Sequence, residues 1–116
     1  MNIVIVKDAM SFDELTKAAA DSFGDMVKVV VDIKREFVAV GGELHADAET
    51  LLLEDGSQQE NLWGANIYPE LPADKRIEYT SLINIRSSQG NRSREIQIPE
   101  IRTKVLSIIE KRIQMV

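Results

Sequence analysis

The stretch "DMVKVVVDIKREFVAVGG", residues 25–42, decides the fold, because its pattern fits two kinds of element. Its valines favour a β-strand. Its polar residues favour a helix, since they fall at i, i+4, i+7 and i+8: Lys28, Asp32, Arg35 and Glu36. The stretch is longer than a typical strand, with an aspartate able to cap its start and two glycines able to end it. The pattern predicts a helix from about Met26 to Val40, with a strand as the alternative.

The segment before this stretch predicts a strand followed by a helix. The N-terminal run "NIVIV" is short, apolar and β-branched, which is typical of a strand. In "MSFDEL", Ser11 and Glu14 form a capping box, and Met10 is placed to pack on Leu15. Gly24 marks the end of this helix, with Phe23 as the last candidate for its buried stripe.

After the two glycines the apolar pattern changes to a period of two. "ELHADAETLLLEDGSQQ" predicts a strand that ends in a turn at Gly56, and "NLWGANIYPE" predicts a second strand. "RIEYTSLINIR" predicts a third, with Ile77, Tyr79, Ile83 and Ile85 on one face. A final helix begins near Pro99 and has an apolar stripe made of Ile101, Val105, Ile108, Ile109 and Ile113.

Together these elements give the order β-α-α-β-β-β-α. We therefore predict an α+β fold in which a mainly antiparallel sheet is covered by helices on one face. The chain has 116 residues, and no linker, repeat or low-complexity tract interrupts it. A single domain over residues 1–116 is the expectation for this length.

Composition excludes several classes of function. The formal net charge of -5 disfavours general binding to nucleic acid, whose phosphates repel an acidic surface. The absence of cysteine excludes disulfides, thiol nucleophiles and cysteine-bound metals. No apolar run is long enough to span a bilayer, and the N-terminus lacks the features of a signal peptide. We expect a cytoplasmic protein that does not associate with membranes.

The only histidine lies among acidic residues in "GGELHADAET". On the predicted strand, Glu43, His45, Asp47 and Glu49 share one face. Imidazole and carboxylates suit acid–base chemistry and metal binding, so His45, Asp47 and Glu49 are candidate catalytic residues and His45 and Asp47 candidate metal ligands. Alternate residues on a strand lie roughly 6.5–7 Å apart, so a metal site needs help from a neighbouring strand. The alternative is a solvated sheet face.

The loop "INIRSSQGNRSRE", residues 83–95, is rich in hydrogen-bond donors. Guanidinium and backbone groups around a glycine can bind an anion. The candidate ligand-binding residues are Arg86, Ser88, Gln89, Asn91, Arg92 and Arg94. The loop matches no Walker or dinucleotide fingerprint. The alternative is an ordinary polar connection whose arginines pair with Glu95 or Glu100.

A further candidate lies in "LWGANIYP". Trp63 beside Gly64 could form the wall of a ligand site, because glycine leaves room next to the indole. The alternative places Trp63 in the core or at a subunit contact.

These same motifs carry a resemblance. "GGELHADAE", "LWGANIYP" and "SQGNRS" make residues 24–110 resemble a family of small prokaryotic proteins of unknown function. The resemblance implies a small stand-alone prokaryotic protein, and it implies no activity, cofactor or catalytic residue. Family members often carry a proline before "SQGN", where this chain has Ser87, and we expect this difference to loosen the entry to the loop.

Two functions follow from the candidate sites, and no cofactor is identified for either. In the first, the protein is a binding or interaction module whose arginine loop holds an anionic small molecule or an acidic protein segment. A homo-oligomer through a sheet edge or the Trp63 strand is compatible with it. In the second, a hydrolase-like enzyme uses His45 as base or metal ligand, with Asp47 and Glu49, on an anionic substrate held by the loop. The second function requires the histidine and the loop to meet in space.

Overall fold

The computed structural model describes residues 2–116, which form three α-helices and a five-stranded antiparallel sheet. The strands are β1 (Ile3–Val6), β2 (Val27–Asp32), β3 (Phe37–Gly41), β4 (Leu62–Ile67) and β5 (Ile77–Glu78). The helices are α1 (Phe12–Asp21), α2 (His45–Glu54) and α3 (Pro99–Arg112). The strands lie in the order β1-β3-β2-β4-β5. The predicted α+β class and antiparallel sheet are confirmed, and none of the described helices is long and apolar enough to cross a membrane.

Residues 26–40 form the β2–β3 hairpin, so the predicted helix was wrong. Its polar residues make the turn: Asp32 Oδ1 accepts hydrogen bonds from the backbone N–H groups of Lys34 and Arg35, both at 2.9 Å. Glu36 follows in the left-handed region at φ 60°. A spacing of four residues is also an even number, so Lys28 and Asp32 share one face of a strand as well as one face of a helix. The valines therefore decide the structure.

Residues predicted as a strand after Gly42 contain α2 instead. The side chains that α2 buries are His45, Ala48 and Leu52, at i, i+3 and i+7. This spacing is helical, and it was masked by the acidic residues at every second position. On a helix, residues two apart point about 200° apart, so their alternation does not define a face. The predicted turn at Gly56 is the end of this helix, where glycine adopts φ 108°.

The third predicted strand is shorter than expected. Only Ile77–Glu78 pair with β4, and a single bridge joins Thr80 to Glu95 beyond them. The Ser81 hydroxyl accepts a hydrogen bond from the Ile83 N–H and starts a 3-10 turn, which takes the chain away from the sheet. The predicted alternation of isoleucines therefore ends at Ser81.

Helices cover both faces of the sheet, whereas one covered face was predicted. α1 and α3 pack on one face against residues such as Val29 and Trp63, and α2 packs on the other against Val30 and Leu62. The consecutive residues Val29, Val30 and Val31 are all fully buried, as expected for a strand enclosed on both faces. The uninterrupted run of valines was the sequence signal for this arrangement.

The two ends of the chain follow the prediction more closely. Ser11 and Glu14 form the capping box, with both hydrogen bonds at 3.1 Å. α1 ends at Asp21, before Gly24, and Phe23 is exposed. Pro99 opens α3, and the helix buries Val105, Ile108 and Ile109 as predicted.

Candidate functional site

A cavity of about 320 Å³ opens between the start of α2 and the chain that follows β5. It lies beyond the part of the sheet that α2 covers. We call it the α2 cavity, and its lining consists of Lys28, residues 44–46, Asn66, residues 80–83 and Arg94. Its volume lies at the lower end of the range of small-molecule sites.

Gly64 allows the walls of the α2 cavity to approach the sheet. A Cβ atom at this position would lie 2.5 Å from Ser81 Cβ and 3.1 Å from His45 Cδ2. Asn84 holds this arrangement from the other segment: its Oδ1 accepts from the Gly64 N–H at 2.8 Å and its Nδ2 donates to the Gly64 carbonyl at 3.0 Å. The fully buried Asn84 thus acts in place of a strand partner for β4.

The N-terminus of α2 borders the cavity without a side-chain cap. The N-cap residue is Leu44, whose side chain cannot accept a hydrogen bond, and the N-cap supplies no side-chain partner to the first turn. Asp47 accepts a hydrogen bond from the Leu44 N–H at 3.3 Å, so it satisfies the N–H of the N-cap residue and none of the N–H groups in the first turn of the helix. The N–H groups of His45 and Ala46 have no intrahelical acceptor at this position. They provide a favourable environment for a negative charge.

His45 is the first residue of α2, and only 7% of its surface is exposed. Burial lowers the pKa of His45 to about 4, and nearby Lys28 lowers it further, although hydrogen bonding to Ala65 and Asn66 acts in the other direction. The ring is therefore neutral at pH 7. Its Nε2 atom donates to the Ala65 carbonyl, 2.8 Å away, which leaves the lone pair on Nδ1.

The charged side chains that line the cavity are both cations, Lys28 and Arg94, and no carboxylate lines it. In the described part of the chain, the ion pairs are Lys7–Asp55, Arg35–Asp55 and Lys111–Glu36, so neither cation is neutralised by one. Lys28 also lies 5.4 Å from the centre of the Phe23 ring. The lining thus carries a net positive charge in a protein that is acidic overall.

Asn66 leaves a buried acceptor unsatisfied beside these cations. It is opposite Lys28 in the β2–β4 ladder, and 6% of its surface is exposed. Its Nδ2 donates to Glu78 Oε1 at 2.8 Å, which fixes the amide orientation. The Asn66 side chain acts on His45 as an acceptor and raises its pKa, but its Oδ1 forms no hydrogen bond of standard length and angle within the described chain. A buried unpaired acceptor is costly and calls for a functional explanation.

Comparison with known proteins places this chain in a family. The family model described as "Protein of unknown function (DUF5674)" matches residues 4–112. The chain belongs to the DUF5674 family. No curated protein and no solved structure shows significant similarity to it. The assignment agrees with the resemblance found in the sequence, and it names no activity.

In this DUF5674 protein, the predicted histidine–acid face does not form. Asp47 is exposed and caps Leu44, whereas His45 is buried beneath α2. Glu49 lies one helical turn after His45, and its buried Oε2 has no hydrogen-bond partner within the described chain. Among residues 2–116, no cluster of three or more His, Asp or Glu side chains could hold a metal ion. The two candidate metal ligands therefore lie in different environments at the start of α2, with His45 buried and Asp47 exposed.

The predicted anion loop is largely occupied by structural contacts. Arg86 stacks over the Trp63 ring at 4.3 Å, and burial lowers its pKa, with the Glu49 carboxylate acting against that shift. Its guanidinium donates to four acceptors: the carbonyls of Gln59, Leu62 and Ile83 and Oε1 of Gln89. The fully buried Asn91 donates to the carbonyls of Asn84, Ser93 and Glu95 and accepts from the Gln97 N–H. These side chains hold the loop in shape and have little capacity left for a ligand.

Of the other candidate ligand-binding residues, one lines the α2 cavity and the rest lie outside it. Arg94 lines the α2 cavity together with His45, so one arginine of the loop does meet the histidine. Ser88 and Arg92 are exposed outside it, and Gln89 Nε2 donates to the Glu60 carbonyl at 2.9 Å. Trp63 is fully buried against α1 and α3, on the opposite face of the sheet from the cavity. Its strand, β4, pairs with β2 along its whole length and with β5 only at Asn66 and Ile67.

Sequence reasoning named Asn66 only as a possible donor to a metal site, and it missed Lys28 and Ser81 as site residues. Lys28 was assigned to the polar face of a helix, and its pairing with Asn66 follows only from the antiparallel pairing of β2 with β4. A larger groove of about 570 Å³ lies between α1 and β1, where Glu14 already caps its own helix. The α2 cavity is the stronger candidate because it combines a net charge, a free helix terminus and a buried unsatisfied acceptor.

Proposed function

We propose that this protein binds a small anionic ligand in the α2 cavity. The observation that carries the proposal is the convergence of Lys28, Arg94 and the start of α2, where the His45 and Ala46 N–H groups lack an intrahelical acceptor, on one cavity whose lining contains no carboxylate. An arginine fork can bind an anion through two hydrogen bonds, and a lysine adds a point charge. Backbone N–H groups at a helix start favour the same sign of ligand.

Lys28 is half-buried at the cavity and Arg94 is exposed, so the interaction at Lys28 is the better shielded of the two. Charges on an open surface are screened by salt, whereas a cavity with low-dielectric walls keeps more of the attraction. The neutral His45 ring does not compete with the ligand for the cations. Its hydrogen bond to Ala65 anchors the first turn of α2 against β4, so the ring positions the N–H groups that would face the ligand.

Catalysis by His45 is disfavoured by the same geometry. An effective general base has a pKa near the working pH, and the pKa of His45 is about 4. We therefore assign the cavity to binding, and His45 to a positioning role.

Thermal melts at constant ionic strength test the proposal. Chloride is replaced by acetate, phosphate or sulfate, so that only the identity of the anion changes. A ligand at ten times its dissociation constant adds about 1.4 kcal/mol to the free energy of unfolding. For a chain of this size, the midpoint rises by on the order of 5 °C.

Variants then locate the site. Arg94→Gln and Lys28→Gln should each reduce the shift, because each removes one cation from the lining. Arg92→Gln is the matched control, since it removes the same charge from the same loop outside the cavity. Equal effects of the Arg92 and Arg94 variants would reduce the binding to general surface charge and overturn the proposal.

A further inference from the structure

The α2 cavity has an apolar half that the binding of a simple anion does not explain. Leu44 and Leu82 are the two most exposed leucines of the chain, at 61% and 66%, and both line this cavity. They come from different segments, one at the start of α2 and the other in the 3-10 turn after β5. A single exposed leucine carries no information, but two on one concave surface mark a binding site.

The polar and apolar groups come from different parts of the lining. Lys28 and Asn66 belong to the sheet, whereas Leu44, Leu82 and Ile83 belong to the segments that rise beside it. Ile83 also packs against the core cluster under α2, so the apolar surface is continuous with the protein interior. A ligand that fills the cavity therefore meets both the cations and the leucines of its lining.

We infer that the ligand is an aliphatic monocarboxylate, with its carboxylate at Lys28, Arg94 and the α2 terminus and its hydrocarbon chain against Leu44 and Leu82. This inference rests on the proposed function. The two cations of the lining call for an anionic head group, since His45 is neutral, and a carboxylate presents two coplanar oxygens to the Arg94 fork.

A chain-length series tests the inference. Isothermal titration calorimetry with acetate, butyrate, hexanoate and octanoate should give a dissociation constant that falls roughly four-fold for each methylene buried. The fall should stop once the chain outgrows the 320 Å³ cavity. Hexanamide, which has the chain but lacks the charge, should bind far more weakly than hexanoate.

Leu44→Ala and Leu82→Ser should flatten the series and leave acetate binding unchanged, because they remove apolar contact without touching a cation, and alanine at the N-cap of α2 supplies no side-chain acceptor that would compete with the anion. Both side chains are exposed, so the variants should fold. Leu53→Ser is the matched control, since Leu53 is an exposed leucine of α2 outside the cavity. It should leave the whole series unchanged.

The outcomes separate the two proposals. If acetate binds and chain length has no effect, the inference fails and the proposed function stands. Tighter binding of hexyl phosphate than of hexanoate also overturns the inference, because it shows a preference for a phosphate. If no anion binds, acetate included, both proposals fail.

Discussion

The protonation of His45 gives a prediction that can be worked out from the structure. The pKa of the buried ring is about 4, against 6.5 for an unperturbed histidine. Between these values the unfolded chain binds a proton that the folded chain does not. The contribution of His45 to stability is therefore complete above pH 6.5 and is lost as the pH falls toward 4.

The size of the effect follows from the two pKa values. Between pH 7 and pH 5 the linkage relation gives a loss of about 2 kcal/mol from this one residue. Three carboxyl groups also have lowered pKa values, each chiefly through a hydrogen bond: Glu14, Glu36 and Asp55. Their ordinary pKa values are 4.5, 4.5 and 3.8, so their own losses begin mainly below pH 5.

Urea denaturation at pH 7 and pH 5 measures the loss, which corresponds to a shift of the midpoint on the order of 1 M. His45→Gln is the comparison, because glutamine keeps an N–H donor for the Ala65 carbonyl and does not titrate. Since the chain has one histidine, its ring signal in a proton NMR titration gives the pKa without assignment. Parallel pH profiles for both proteins, or an NMR pKa near 6.5, would refute the reasoning.

Three further predictions concern the frame of the site. Gly64→Ala should lower the free energy of unfolding in urea by about 1–3 kcal/mol, because the new Cβ meets Ser81. Adding Ser81→Gly to the same chain should recover part of that loss, and no recovery would contradict the contact. Asn91→Ala should lower the free energy of unfolding by about 3 kcal/mol, since it leaves four backbone groups unpaired. Ser88→Ala, at an exposed position of the same loop, should change it by no more than about 0.5 kcal/mol, and similar losses would show that Asn91 is not the structural centre of the loop. Arg86→Lys should lower the melting temperature and change the tryptophan fluorescence, because lysine cannot reproduce the stacked fork over the indole; an unchanged spectrum would contradict the stacking.

The sequence predicted those parts of the fold in which one local signal dominates. The capping box at Ser11 and the proline at the start of α3 act within a single turn, so they can be recognised without tertiary structure. In the middle of the chain, the spacing of polar and apolar residues agrees with the two-residue period of a strand and also with the 3.6-residue period of a helix. A spacing of four residues suited a strand as well as a helix around Lys28, and the acidic residues around His45 concealed the buried positions of α2.

The site was harder to predict because it depends on pairings between distant segments. His45 and Arg94 were candidates from separate motifs, and the cavity brings them together. Lys28 and Asn66 are neighbours only because β2 pairs with β4. Conversely, the sequence suggested that the donors of Arg86 and Asn91 were available to a ligand. In the fold they bond to backbone carbonyls, and the sequence does not show that these carbonyls lie close to them.

Chemical shifts of the amide groups at the start of α2 test the central claim most directly. In a titration of the ¹⁵N-labelled protein with acetate at constant ionic strength, the His45 and Ala46 amides should shift most and saturate together. Arg94→Gln should weaken that saturation, and Arg92→Gln should leave it unchanged. Shifts that are scattered over the surface, or that do not differ between the two variants, would contradict an anion site in the α2 cavity.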